Sequence, residues 1–207
     1  MRAHFAMTEP TADKPKKKRR VLRVFKIVTL TLVVAMVAFI GIGWSAYVDP
    51  DEDSVQKADA IFVLGGSHDG REEFALSLAE QGYAPQVVFS NPYEDGHYAR
   101  YGFEKDGYMD RLCNGDYTFV VSCFNPEPAT TRGEGRELAR RASAEGWKKV
   151  IVVTFTPHIA RARFVIDKCW PGEILYVASP TELNTVGWAW NFVYQSGGFV
   201  RALFEDC

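Results

Sequence analysis

A histidine and an arginine three positions apart, His158 and Arg161, are the residues of this chain best suited to bind an anion or move a proton. Residues three apart on a helix share a face, so the imidazole and the guanidinium would point the same way. The start of a helix also attracts anions, because its first N–H groups lack partners within the helix. The pair therefore predicts a phosphate or carboxylate site in which His158 gives or takes the proton.

The helix that carries this pair is predicted to follow a buried strand. Val150 to Val153 is a continuous β-branched run, which is typical of a central strand in a parallel sheet. Thr156 stands where a helix N-cap is expected, and Pro157 suits the first helical turn. Arg163 is expected to face solvent. The same pattern also occurs at ordinary strand-to-helix junctions, where a histidine is only a capping residue.

Strands and helices alternate along the chain from Ala58 onward. The predicted strands are 60–64, 86–89, 118–121, 150–153 and 174–177. The predicted helices are 72–81, 101–112, 132–145, 156–169 and 182–204. This alternation predicts an α/β protein with a Rossmann-like three-layer α/β/α domain, whose mainly parallel sheet has about five strands.

Ligands of such sheets bind outside the carboxyl ends of the strands, which identifies further candidates. Four cationic or protonatable residues follow different strands and are expected to converge: Arg71, Arg132, His158 and Arg161. The predicted catalytic residues are His158, Arg161 and Glu134. The predicted anion-binding residues are Gly65, Gly66, Ser67, Arg71, Ser90, Asn91, Thr131, Arg132 and Thr154.

Two of these candidates have a structural alternative. Thr131 and Glu134 have the spacing of a capping box, which alone can explain both residues. Asp59 is a further candidate for orienting the histidine or a water molecule, although an acid at the start of a strand is more often structural. Thr154 and Ser90 have no evident partner base, so no nucleophile is predicted.

The N-terminal part of the chain is predicted to be a membrane anchor. Residues 14–20 form a dense basic run, which alone can resemble a nucleic-acid patch. No charged residue occurs from Ile27 to Val48, and about 22 residues at ~1.5 Å each can cross a bilayer core of ~30 Å. Trp44 and Tyr47 lie at its far end, as in an aromatic belt. A cleaved signal peptide is the alternative, but the apolar stretch is long and no clear cleavage site follows it.

These features predict a basic cytoplasmic tail (1–26), a transmembrane helix (27–48), a linker (49–57) and an extracytoplasmic domain (58–207). Residues 1–48 contain nine Lys or Arg and two acidic residues, a net charge of +7; the remaining 15 basic and 24 acidic residues give −9. An acidic domain is a poor partner for nucleic acid. The expected partners are the membrane and an anionic small-molecule or lipid-linked ligand.

All four cysteines follow the predicted span, which suits disulfides in an oxidising compartment. Four cysteines allow three pairings, and we favour Cys113 with Cys123 and Cys169 with Cys207. No C-x-x-C spacing occurs, and the histidines are far apart in sequence, so no metal site is predicted. His97 is expected in a loop. The aromatic cluster from Trp188 to Tyr194 is expected to be helix packing, or else to lie against the membrane.

The ordered motifs resemble the YdcF-like family, which comprises SanA/ElyC-like envelope proteins. The motifs are Ala58 to Gly66, Gly82 to Ser90, Thr131 to Glu134, and Val153-Thr154 followed by His158 to Ala162. The segment from Cys123 to Pro126 resembles an actinobacterial branch. The family positions matched are Asp59, Gly65, Gly66, Arg71, Ser90, Thr131, His158 and Arg161. The chain departs from many relatives at Gly133-Glu134, where they have Glu-Asn.

The resemblance implies an envelope protein with a Rossmann-like domain outside the membrane. Our first hypothesis is hydrolysis or group transfer on a phosphate-bearing envelope metabolite, such as a lipid-linked sugar or polyprenyl phosphate. The second is a non-catalytic module that binds an anionic ligand. The third is nucleotide or S-adenosylmethionine binding, which the resemblance suggests, although Ser90 and Asn91 stand where an acidic residue for the ribose is expected. No cofactor follows from the residues themselves.

Overall fold

A computed structural model describes residues 14–92 and 107–207, in two compact units, residues 1–42 and 43–207. The described part of the first unit belongs to helix α1, Lys14–Gly43, which begins within the basic run rather than after it. Its side chains from residue 18 to 42 are exposed. A helix this long and apolar can cross a membrane, and a signal sequence has the same properties.

The second unit contains a five-stranded sheet in which every strand pair is parallel. The strands are β1 (Ala60–Val63), β2 (Gln86–Ser90), β3 (Val120–Phe124), β4 (Lys149–Phe155) and β5 (Glu173–Ser179). Their order is β3-β2-β1-β4-β5. The central strands β1 and β4 align Ile61 with Ile151 and Val63 with Val153. The predicted Rossmann-like α/β fold is therefore confirmed.

Helices cover both faces of the sheet, as buried parallel strands require. They are α2 (Arg71–Glu80), α3 (Tyr108–Cys113), α4 (Thr131–Glu145), α5 (Ile159–Ile166) and α6 (Thr185–Ala202). Side chains that alternate along the strands form two cores. Ile61 and Val153 pack with α2 and α3, whereas Phe62 and Val152 pack with α4 and α5. The part of the predicted 101–112 helix before residue 107, and the expected loop at His97, lie outside the described residues.

Two predictions about helix starts are wrong. Thr156 does not cap a helix, because Phe155 precedes a 3-10 turn, Thr156–His158, and no side chain caps it. Pro157 lies in that turn, and α5 follows it. Thr131 and Glu134 do not form a capping box, since the N-cap of α4 is Thr130, whose Oγ1 accepts from the N–H of Gly133 at 3.4 Å. This leaves both side chains for other contacts.

The acidic linker is fixed to the edge strand β5. The Asp53 carboxylate accepts from Tyr176 N at 2.8 Å and from the Arg163 guanidinium at 2.9 Å. Arg163 also lies over the Tyr176 ring, with 4.6 Å between its Cζ and the centroid. The prediction that Arg163 is solvated was therefore wrong. Covering the edge in this way removes a strand that could pair with another chain.

Both favoured disulfides are present. Cys113 bonds to Cys123, which connects α3 to β3 across 10 residues. Cys169 bonds to Cys207 across 38 residues and fastens the C-terminal segment beyond α6 to the end of α5. Disulfides of this kind persist in oxidising compartments.

Candidate functional site

The predicted site residues lie where the direction of strand addition reverses. The chain builds outward from β1 through β2 to β3, and then returns to the other side of β1 with β4 and β5. The loops after β1 and β4 therefore separate and leave a crevice, which is the usual ligand site of open parallel sheets. Arg71 follows β1, whereas His158 and Arg161 follow β4.

Arg71 holds the loop after β1 in its shape. Its side chain is fully buried and donates to both carboxylate oxygens of Asp69, at 2.8 and 2.5 Å. It also donates to the carbonyl groups of Leu64 and Gly65, at 3.1 and 3.2 Å. A Cβ on Gly66 would come within 2.7 Å of the guanidinium, so only glycine fits there. Asp69 therefore neutralises the charge of Arg71, and the guanidinium binds groups of the protein itself.

His158 joins the two sides of the crevice. Its Nδ1 lies 2.9 Å from Thr154 Oγ1, and its Nε2 lies 3.3 Å from Thr131 Oγ1. Burial, and then the charges of Arg161 and Arg71, hold the pKa of His158 well below its ordinary value. The imidazole is therefore neutral, and both of its nitrogens face threonine hydroxyl groups. This arrangement favours a positioning role for His158 over the proton transfer expected from sequence.

Arg161 is held by α6 and points into the crevice. Its Nε donates to Gln195 Oε1 at 2.7 Å, its Nη1 donates to Thr131 Oγ1 at 3.4 Å, and its Cζ lies 5.8 Å from the Tyr194 ring centroid. A Cβ on Gly198 would meet the Arg161 side chain at 2.8 Å. Within the described residues, the second terminal nitrogen, Nη2, has no hydrogen-bond partner. Arg161 is therefore fixed in position with a donor to spare.

Glu134 is the buried acid of the site. Its Oε1 accepts from the N–H of Gly65 at 2.6 Å. Burial raises the pKa of Glu134, and the Gly65 N–H, the Ser90 hydroxyl, Arg71 and Arg161 only partly oppose this increase. The Oγ of Ser90 is buried beside this carboxyl group. The carboxyl group can therefore carry a proton at a pH where an exposed glutamate would be ionised.

The structure does not gather every predicted residue here. Asp59 lies at the opposite end of β1, where its carboxylate accepts from the N–H groups of Lys148 and Lys149, so it cannot orient His158. Arg132 makes no hydrogen bond or ion pair with a site residue in the described chain, and its charge acts on Glu205 instead. Ser67 is exposed.

Asn91 follows β2, and its backbone N–H donates to the Phe124 carbonyl at 2.7 Å.

Sequence analysis missed the contribution of α6. Gln195 is fully buried and Asn191 nearly so, and the two are joined by a hydrogen bond of 3.4 Å. Asn191 in turn donates to the Gly187 carbonyl at 2.9 Å. Polar residues four positions apart in an otherwise apolar helix share a face, and that spacing was the available indication of a buried partner.

The described residues contain no group of three or more His, Cys, Asp or Glu side chains that could hold a metal ion. The described residues bring together a fixed guanidinium with a spare donor, a buried hydroxyl group and a protonatable acid, which are chemical groups that can bind an anion. No protein-family model, no curated protein and no solved structure matches the chain. The resemblance to the YdcF-like family therefore stays a prediction based on the motifs.

Proposed function

We propose that this chain is a membrane-anchored, extracytoplasmic YdcF-like protein of cell-envelope biogenesis. In this proposal it binds a phosphate-bearing envelope metabolite, such as a lipid-linked sugar or a polyprenyl phosphate, and processes it by hydrolysis or group transfer. The basic residues in the first half of α1, before its apolar part, favour a cytoplasmic N-terminus, and the two disulfides suit the oxidising side.

The observation that carries the proposal is the spare donor of Arg161. Gln195 and Thr131 fix the guanidinium, so binding a phosphate requires little further ordering of the side chain. Guanidinium groups bind phosphate oxygens through strong charge-assisted hydrogen bonds. The buried Ser90 hydroxyl lies beside the Glu134 carboxyl group and adds a further polar group to the site.

Glu134 supplies the proton chemistry in this mechanism. Its raised pKa allows it to protonate the leaving oxygen as a P–O bond breaks, while Arg161 stabilises the negative charge that develops on the phosphoryl oxygens. The attacking group is water in a hydrolysis or an acceptor hydroxyl in a transfer, and the proton that it releases restores the Glu134 carboxyl group. His158 positions Thr131, which also accepts from Arg161.

The second candidate is a non-catalytic module that binds an anionic ligand. It is favoured by the state of His158, whose two nitrogens are both engaged, so the histidine is not free to act as a base. The same residues then hold the ligand without changing it.

A turnover screen distinguishes the two functions. Full-length protein in detergent micelles is incubated with phosphorylated sugars and polyprenyl phosphates, and products are identified by mass spectrometry. We expect one compound to be consumed by the wild type and by Arg140→Gln, a control at an exposed arginine of α4. We expect Glu134→Gln and Arg161→Gln to consume it far more slowly.

Binding of one compound without consumption would establish the module instead. Equal turnover by all four proteins would overturn the assignment of the site.

A further inference from the structure

Helix α6 has two faces of different character. Its inner face contains Asn191, Gln195 and Gly198. Asn191 and Gln195 are buried in the domain, and Gln195 and Gly198 lie against the Arg161 side chain. Its outer face carries large apolar side chains at intervals of three, four and seven residues, which keep them on one side of the helix and just beyond its end. These residues, which we call the outer face, are Val186, Trp190, Val193, Val200 and Phe204, and they are 77%, 64%, 66%, 57% and 85% exposed.

A helix that faced only water would carry charged side chains there. Helix α4 of the same domain does so, with arginine or glutamate in every turn. Helix α6 has a single charged residue, Arg201, in 18 residues. A continuous apolar stripe of this kind marks a surface that another apolar phase or molecule covers.

The segment that follows the apolar part of α1 packs on this same helix. After α1 the chain forms a π-helical turn, Trp44–Val48. The Tyr47 hydroxyl is 3.0 Å from Ser196 Oγ, and its ring is 5.4 Å from the Phe192 ring. Within the second unit, the turn Trp44–Val48 is therefore packed on α6 through Tyr47.

The aromatic residues of α6 also suit a membrane surface. The rings of Trp190 and Tyr194 stack with 6.1 Å between centroids, and both side chains are more than half exposed. Of the two interpretations of this cluster, helix packing and contact with the membrane, the exposure of these two residues favours the second. Exposed tryptophan and tyrosine are enriched where protein meets lipid headgroups, because one end of each ring is apolar and the other polar.

We propose that the outer face of α6 rests on the lipid surface of the membrane in which the chain is anchored. This inference relies on the anchoring that forms part of the proposed function. An amphipathic helix of this kind lies in the plane of the interface with its apolar side in the headgroup and acyl boundary. Arg161 is held by Gln195 on the other side of α6, and it also lies over the Tyr194 ring, which stacks on Trp190 of the outer face.

Photo-crosslinking of the full-length chain in liposomes tests the inference. Photoreactive benzoylphenylalanine replaces one of three exposed valines: Val193 on the outer face, Val120 on β3, or Val33 in α1. All three are more than half exposed, so the bulky group does not disturb a core. After irradiation, adducts with a labelled phospholipid are quantified.

We expect strong lipid labelling at Val33, and labelling at Val193 severalfold above that at Val120. Labelling at Val33, with Val193 no higher than Val120, would overturn the inference and leave the anchoring intact. A crosslinked dimer from Val193 in place of lipid adducts would assign the outer face to a second copy of the chain. Absence of lipid labelling at Val33 would overturn the anchoring itself, and the inference with it.

Discussion

Loss of the Cys169–Cys207 disulfide should destabilise the α/β domain more than loss of Cys113–Cys123. A crosslink stabilises the folded state mainly by restricting the unfolded chain, and the effect grows with the loop it closes. The loops span 38 and 10 residues. The chain-entropy relation then gives about 3.9 kcal/mol for the longer loop and about 2.7 kcal/mol for the shorter one.

The larger effect should also reach the anion site. The end of α6 and the residues after it are held by this bond, by hydrogen bonds from Lys168 to the carbonyl groups of Ala202 and Glu205, and by one from Arg136 to Cys207. Helix α6 carries Gln195, which fixes Arg161. Loosening the end of α6 should therefore weaken anion binding, and loss of the other disulfide should not.

Urea denaturation of full-length protein in detergent micelles measures both effects. The fluorescence of Trp147, which is buried in the α/β domain, contributes to the signal, and near-UV circular dichroism provides an independent probe. The proteins compared are the wild type and the two double-alanine variants, each lacking one disulfide. The reasoning is refuted if loss of Cys113–Cys123 costs as much free energy of unfolding as loss of Cys169–Cys207, or more.

Three further predictions concern buried contacts. Thr154→Val should lower the free energy of unfolding by ~1–3 kcal/mol, because it leaves a buried nitrogen of His158 without its partner. Thr154→Ser keeps the hydroxyl group and should lower this free energy less. Urea titration of both variants checks the difference. Burial raises the pKa of Glu134, so the folded chain binds more protons than the unfolded chain above about pH 4.5, and its stability should fall with rising pH up to the raised pKa. Melting curves across pH should show that Glu134→Gln removes this slope, and an unchanged slope would contradict the assignment. Gly133→Ala should destabilise the domain strongly, because its Cβ would overlap a backbone carbonyl of the preceding loop. Gly197→Ala has open space around it and should stabilise the domain by up to ~1 kcal/mol. Similar thermal midpoints for the two variants would refute this prediction.

The sheet could be predicted because its strands are local apolar runs. Val150 to Val153 lies within β4, and each predicted strand overlaps an observed one, with ends that differ by at most three residues. Strand ends depend on pairing with neighbours, as when β3 extends to Phe124 opposite Ser90. That pairing is absent from a single segment of sequence.

The site was harder to predict, because its contacts join distant parts of the chain. The sequence placed Arg71, His158 and Arg161 at one edge correctly. It did not show that Asp69 neutralises Arg71, or that Thr154 and Thr131 occupy both nitrogens of His158. Such partners are fixed by side-chain directions in the folded state.

The partners of two charged residues could not be identified from the sequence for the same reason. Asp59 was a candidate for orienting the histidine, yet its carboxylate accepts from the backbone N–H of Lys148. Arg163 was expected to face solvent, yet its guanidinium binds the carboxylate of Asp53. Lys148 lies 89 positions from Asp59 in the sequence, and Asp53 lies 110 positions from Arg163. No periodicity connects residues at such distances, so only the fold reveals the pairing.

The central claim is that Arg161 binds a phosphate group, and isothermal titration of full-length protein in micelles with a polyprenyl phosphate tests it most directly. A hydrogen bond to a charged group contributes ~1.5–3 kcal/mol, so Arg161→Gln should weaken binding about 10- to 100-fold. The control Arg140→Gln, at an exposed arginine of α4, should bind as the wild type does. Equal affinities for the wild type and Arg161→Gln would contradict the claim.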